Sequence, residues 1–223
     1  MTVQIETLQS IPYFDGISPA DLNPIKDSFF EKTAQRGELI MAEDETSAVL
    51  YFIASGAVKL FKTSADGKEQ IIDIARPGQP INDVPIFDGG TNLVSAQAMG
   101  AVTLCGVEKS DLDRILQRYP QVARNASRLI AGQVRRLTAL VEDLSFKPVI
   151  GRVAKILLEH SEESPDSRPK LTQQDMAAMA GTAREVVGRS LKSLEEKGLI
   201  RLERSRLVIR DKEALKDMVA AFS

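Results

Sequence analysis

The sequence predicts an α+β chain in three parts: an N-terminal β-roll, a long helix, and a C-terminal winged helix-turn-helix. Three observations carry that prediction. Gly56, Gly67 and Gly78 recur at eleven-residue intervals among short strand-forming runs, a spacing that fits short strands wound into a roll. Gln121 to Ser145 contains no proline and a single glycine, Gly132, so it reads as one helix of about six or seven turns. Two polar-capped stretches, beginning at Thr172 and Thr182, meet at Gly181.

Taken in order, a short helix is expected around Asp21 to Phe30, then strands at Leu39 to Met41, Val49 to Ile53, Ala57 to Thr63 and Gln70 to Ile74. Val58 and Leu60, and beyond the turn Ile72 and Ile74, alternate with polar neighbours, which reads as one buried face per strand. Between them Ser64-Ala65-Asp66-Gly67 holds the residues a tight hairpin needs. A final pair, Val94 to Met99 and Val102 to Val107, closes a double-stranded jelly roll. Cys105 lies in that last apolar strand and reads as a small core hydrophobe rather than a redox switch.

On the long helix Ala126, Ile130, Gln133, Leu137, Leu140 and Leu144 step alternately by four and three, the repeat of a two-helix coiled coil. Arg128, Arg135 and Arg136 lie off that line. A homodimer zipper is the expectation. The competing reading packs the helix on its own sheet, and the two can hold at different ends. At Ser145-Phe146-Lys147-Pro148 the pattern breaks, and Ser145 is expected to cap a new helix from about Val149 to Glu159, with Pro148 in its first turn. Glu162 to Lys170, with two prolines and no large apolar residue, reads as a loop. The expected domains are 1–119, 120–147 and 148–223.

Thr172-Gln173-Gln174-Asp175 is a polar cap with an acid three positions on, followed by Met176, Ala177, Met179 and Ala180 on one face and Gly181 as a turn. Thr182-Ala183-Arg184-Glu185 repeats the capping pattern, and Val186, Val187, Leu191 and Leu194 form the buried stripe of a second helix that ends at Gly198. Leu199 to Leu202 and Arg206 to Arg210, on either side of Glu203-Arg204-Ser205, read as a two-stranded wing. Arg184, Gly188, Arg189 and Lys192 then come out opposite the apolar stripe. A guanidinium fork matches guanine O6 and N7 in the major groove, and Glu185 can accept from cytosine N4, so this face suits double-stranded DNA.

Composition narrows the alternatives. The 223 residues carry a net charge of −2 and no apolar run long enough to span a bilayer, and the N-terminus lacks the features of a secretory signal, so a cytoplasmic protein without membrane partners is expected. One cysteine and one histidine exclude an intramolecular disulfide, a structural zinc site and an iron–sulfur cluster. That histidine, His160, falls outside the roll and reads as a solvated helix-end residue, so histidine-ligated haem in the sensory part is not expected. No cofactor and no metal site are predicted. No phosphate loop or nucleophile-with-histidine set can be drawn, so an enzyme is not expected. Residues 1–147 hold 15 basic and 19 acidic side chains, and residues 148–223 hold 14 and 12. The basic surplus lies where phosphates would be met.

Over nearly its whole length the chain resembles the Crp/Fnr transcription regulators, relatives of the catabolite activator protein. The likeness rests on the order of roll, long helix and winged helix-turn-helix. It rests also on Gly181-Thr182-Ala183-Arg184-Glu185-Val186-Val187-Gly188-Arg189, which looks like that family's recognition helix with its Arg-Glu-x-x-x-Arg triplet intact. The resemblance implies that Arg184, Glu185 and Arg189 read bases of a TGTGA-like half-site. It implies phosphate contacts from Thr172, Gln173, Gln174, Thr182 and Lys192, a palindromic site gripped by two chains, and RNA polymerase as a partner. The alternative is a sensor whose winged helix docks a protein.

The resemblance also implies a cyclic-nucleotide-binding-type roll, from which the chain departs. Cyclic-AMP-binding members supply a glutamate for the ribose and an Arg-Ser pair for the cyclic phosphate in the cassette that here runs Gly78-Gln79-Pro80-Ile81-Asn82-Asp83 and ends Val94-Ser95-Ala96. The adenine-contacting Thr-Ser of the long helix is here Leu137-Thr138. Asn82, Asp83, Val94, Ser95, Leu137 and Thr138 are therefore the candidate effector pocket. With Val94 in the arginine's place, a buried phosphate would lack its guanidinium partner, a cost of several kcal/mol. Cyclic AMP is therefore not the expected effector, and two readings stay open: another small molecule of unknown identity acts at the roll, or no small ligand does.

Overall fold

The computed structural model describes residues 3–161, 171–203 and 206–221. The expected loop at 162–170 and the tip of the wing at 204–205 lie outside the described residues. The chain divides into two compact units, residues 1–62 with 72–136, and residues 63–71 with 137–223.

The first unit opens with α1 (Ile5–Gln9), a 3-10 turn (Pro12–Phe14) and α2 (Pro19–Lys26). Ser18 caps α2, its hydroxyl accepting from the Asp21 amide at 3.2 Å. The strands are β1 (Phe29–Ala34), β2 (Leu39–Met41), β3 (Val49–Ser55), β4 (Val58–Thr63), β5 (Glu69–Ala75), β6 (Ser95–Ala98) and β7 (Val102–Glu108), with α3 (Asp83–Asp88) between β5 and β6. Then come α4 (Lys109–Arg118) and α5 (Pro120–Phe146). Two sheets, β1-β7-β3 and β2-β6-β4-β5, make the roll.

Because successive strand residues face opposite ways, β3 serves two cores. Leu50 and Phe52 join Tyr13, Phe14, Leu112 and Val122 on the helical side, while Ile53 joins Ile40, Val58, Ala96 and Leu104 between the sheets. Cys105, opposite Glu31 and Phe52, is buried in the first of these. Burial, and next the Glu31 charge, push its thiol up to about 11, as suits a core hydrophobe. At Gly56, φ is +87° and an added Cβ would lie 2.4 Å from the Ala101 carbonyl, so the turn after β3 admits only glycine.

Several expectations need correction. The helix expected to reach Phe30 ends at Lys26, and Phe29 and Phe30 begin β1, a strand absent from the sequence reading. In β5 it is Ile71 and Ile74 that are buried, with Ile72 only half so. Ser145 caps nothing in α6 (Val149–Ser161), since α5 continues through Phe146. Ala126, assigned to the dimer seam, is 2% exposed in the roll's own core, and the Gln133 amide donates to Asp83. The apolar line left exposed on α5 is Val134 (57%), Leu137 (46%) and Val141 (63%), while Ile130, Leu140 and Leu144 are half-buried.

The second unit contains α6, α7 (Gln173–Ala180), α8 (Arg184–Glu196), β8 (Ile200–Glu203), β9 (Arg206–Ile209) and α9 (Lys212–Ala220). Its core joins Val153 and Leu157 of α6, Met176 and Ala180 of α7, Val187, Leu191 and Leu194 of α8, and Leu215 of α9. The sequence reading lacked α9, whose cap Asp211 accepts from the Ala214 amide at 2.9 Å.

Candidate nucleic-acid interface

The first helix of the pair starts as its residues dictate. The Thr172 hydroxyl accepts from the Asp175 amide at 3.1 Å and donates to the Asp175 carboxylate at 2.7 Å, and that carboxylate also accepts from the Thr172 amide at 2.8 Å. This is a complete capping box. It leaves Gln173 and Gln174 exposed on the first turn. Gly181 ends α7 with φ +60°, and an added Cβ there would lie 2.8 Å from the Leu144 side chain. Both the Gly181 and Thr182 amides donate to the Ala177 carbonyl, the paired closure of a left-handed helix end.

That closure explains why the second expected capping box does not form. Thr182 is held in the turn, so Ala183 becomes the residue before α8 and contributes no side-chain cap. Val187, Leu191 and Leu194 are buried as the stripe requires. Arg184, Glu185, Arg189 and Lys192 are exposed, and the first three make no hydrogen bond or ion pair among the described residues. Lys192 lies 3.9 Å from Glu196 one turn on. Gly188 lies beside α7, where an added Cβ would sit in ordinary contact with the Gln173 side chain at 3.8 Å. The wing pairs Ile200 with Ile209 through Glu203 with Arg206, and the Leu202 amide donates to Glu195 of α8 at 2.7 Å. The wing is thus tied to the reading helix.

A charged cluster absent from the sequence reading fixes the base of this unit. Arg152 donates to the carbonyls of Ala180 (2.8 Å) and Lys147 (2.6 Å), joining the end of α7 to the hinge. Asp143, buried near the end of α5, pairs with Lys147 at 2.9 Å and with Lys155. Burial alone would raise its carboxyl, but hydrogen bonds and charge from Lys155 and Lys147 outweigh that and hold it below the usual carboxylate range. His160 lies at the end of α6, in the last turn.

The candidate effector residues are engaged internally. Asn82 accepts from the Tyr51 amide at 3.1 Å and donates to the Val49 carbonyl at 2.7 Å and the Ser47 hydroxyl at 3.3 Å. Asp83 accepts from the Tyr13 hydroxyl at 3.1 Å and from Gln133 at 2.9 Å. Burial, then the Asp83 charge and this hydrogen bond, push the Tyr13 phenol far above its ordinary value. Ser95 accepts from the Glu43 amide at 3.0 Å, and Val94 packs on the core between the sheets. Leu137 and Thr138 belong to the second unit. Among the described residues no group of His, Cys, Asp or Glu could hold a metal ion, and no helix is long and apolar enough to cross a membrane.

A glycine-turned β-roll, a long helix and a winged helix-turn-helix with a free basic face together define a DNA-binding transcription regulator. The comparisons agree. Residues 31–119 match the cyclic nucleotide-binding domain and residues 151–218 the Crp-like helix-turn-helix domain. The chain is 30% identical over 217 residues to the CRP-like cAMP-activated global transcriptional regulator of Mycobacterium tuberculosis, covering 94% of this chain and 97% of that one. It is 28% identical over 211 residues to the cyclic AMP receptor protein of Thermus thermophilus, covering 95% and 98%. FixK2 from Bradyrhizobium japonicum superposes with a TM-score of 0.76 at 26% identity, covering 85% of this chain and 96% of that one. The chain belongs to the Crp/Fnr family of transcription regulators. These relatives are regulators, not enzymes.

Proposed function

We propose that the protein is a cytoplasmic homodimer that grips a palindromic TGTGA-like duplex, with Arg184, Glu185 and Arg189 reading bases, and that cyclic AMP is not its effector. The observation that carries this reading is the triplet's freedom: three charged groups on one face of α8, exposed and uncommitted, over a buried stripe that holds the helix rigid. Gln173, Gln174, Thr182 and Lys192 supply phosphate contacts, and Thr172, whose hydroxyl is taken by Asp175, fixes the turn that carries the two glutamines. The exposed line Val134, Leu137 and Val141 supports a partner helix, which sets two readers about 34 Å apart, one turn of duplex. RNA polymerase is the further partner the family reading brings.

Two relatives are named for cyclic AMP, yet here Val94 stands where an arginine would meet the phosphate. Asp83 and Ser95 are already hydrogen-bonded within the chain. The test is titration of a labelled TGTGA palindrome with purified protein, with and without cyclic AMP, over a salt series. The expected result is a dimer that binds the palindrome at least about 10³-fold tighter than a random duplex, with a steep loss on adding salt and no gain from cyclic AMP. A monomer, or equal grip on both duplexes, would overturn the reading and favour a protein-docking wing.

A further inference from the structure

Asp83 is 3% exposed and makes no ion pair among the described residues, so its carboxylate is met by neutral donors alone. Those donors come from three elements of the first unit. Tyr13, in the 3-10 turn, gives its hydroxyl to one carboxylate oxygen, and Gln133 on α5 gives its amide to both, at 3.2 and 2.9 Å. Asp83's own oxygen also takes the Val84 amide at 3.1 Å. Tyr13 is doubly used, because its carbonyl accepts from Asn125 of α5 at 3.0 Å while Asn125 also donates to the Asp15 carbonyl at 2.9 Å. Further along, Arg136 of α5 lies 3.4 Å from Asp73 of β5. The first half of α5 is therefore seated on the roll through a buried polar chain as well as through Val122 and Ala126.

We infer that the Tyr13–Asp83–Gln133 clasp couples the roll to α5 without a small molecule, so that Asp83 and Gln133 are positioning residues for the DNA reader. This rests on the DNA-binding reading above. The physical argument is one of occupancy. Each carboxylate oxygen already accepts two hydrogen bonds, so a ligand hydroxyl can reach Asp83 only by displacing Tyr13 or Gln133. A ligand that displaced Gln133 would release α5 from the roll instead of bridging them. The unliganded chain is the coupled state.

Two substitutions at the half-buried Gln133 separate coupling from mere packing. Gln133→Lys keeps a donor and adds an opposite charge, whereas Gln133→Glu sets a second carboxylate against Asp83. Palindrome binding by the full chain is measured without nucleotide and with cyclic AMP. Hydrogen exchange of the α5 amides between residues 129 and 136 is followed without DNA, so that failure of the DNA reading leaves the clasp testable. Gln133→Lys is expected to bind as the unaltered protein does, and Gln133→Glu at least about tenfold more weakly, the scale of losing one hydrogen bond to a charged group. Only Gln133→Glu should speed α5 exchange, and cyclic AMP should change neither readout. Equal exchange in both variants would overturn the clasp, as would cyclic AMP slowing α5 exchange in the unaltered chain.

Discussion

The outer face of α8 and the 82–95 cassette of the roll each gather polar groups within a short span, yet they stand in opposite states of engagement. Arg184, Glu185 and Arg189 lie in water with no partner among the described residues. Asn82 and Asp83 are buried, with donors or acceptors supplied from β3, the 3-10 turn and α5. The difference separates two uses of polar chemistry. A group that must meet a phosphate-lined groove is kept solvated so that counterion release and base contacts are gained on binding. A group already satisfied indoors can accept a ligand only after something lets go.

The sharpest way to break this comparison is to remove the solvated arginines. Arg184→Ala with Arg189→Ala deletes two forks, each worth about 1–3 kcal/mol of base discrimination, so preference for the palindrome over a random duplex should fall roughly 30-fold to 10⁴-fold. Urea unfolding should be nearly unchanged, because neither side chain supports the fold. Competition binding with both duplexes reads the first quantity. A variant that keeps its preference would show that the exposed face is only a solvated surface.

Asp143 stands between the extremes, charged like the reader yet buried like the cassette. Asp143→Ala leaves Lys147 and Lys155 facing one another without their counter-charge. The expected loss is about 2–3 kcal/mol, reduced from the fully buried case because Lys155 is 28% exposed. The pH dependence has a definite sign. The folded carboxyl is held below its unfolded value of about 3.9, so its stabilisation is present above that pH and lost as pH falls through the lower folded value. Acid unfolding of the unaltered chain should show this component and Asp143→Asn should lack it. Matching acid profiles would show that the pair contributes nothing to the hinge.

These cases show which parts of the molecule can be read along the chain. The seven-residue strand β3, its glycine turns and the Arg184–Arg189 face follow from local period and spacing, and the structure places them where the sequence predicts. β1 is not legible in the sequence because Phe29-Phe30-Glu31-Lys32 does not alternate, and its place is settled by pairing with β7. The expected Thr182 box does not form, since the closure of α7 at Gly181 holds Thr182 in the turn. The expected seam on α5 keeps Leu137 but not Ala126 or Gln133, which answer to the roll, a demand invisible in a helical repeat. The Lys155–Asp143 and Tyr13–Asp83 contacts join residues 12 and 70 positions apart, and no local pattern encodes such meetings.

The smallest effect concerns Thr172, where structural and functional uses of one hydroxyl can be told apart. Its oxygen accepts from the Asp175 amide and its proton is given to the Asp175 carboxylate, so nothing is left over for a phosphate. Thr172→Ala should therefore destabilise the C-terminal unit by about 1 kcal/mol, the usual cost of a lost cap, and Thr172→Ser should restore it. Palindrome affinity, measured well below the unfolding midpoint, should change by less than about threefold, since a folded α7 still presents Gln173 and Gln174. A tenfold loss in Thr172→Ala that Thr172→Ser repairs, without a matching change in urea midpoint, would move this hydroxyl from the cap to the DNA contact. It would also show that a fully bonded side chain can still be recruited at the interface, which is the point on which the contrast between α8 and the roll depends.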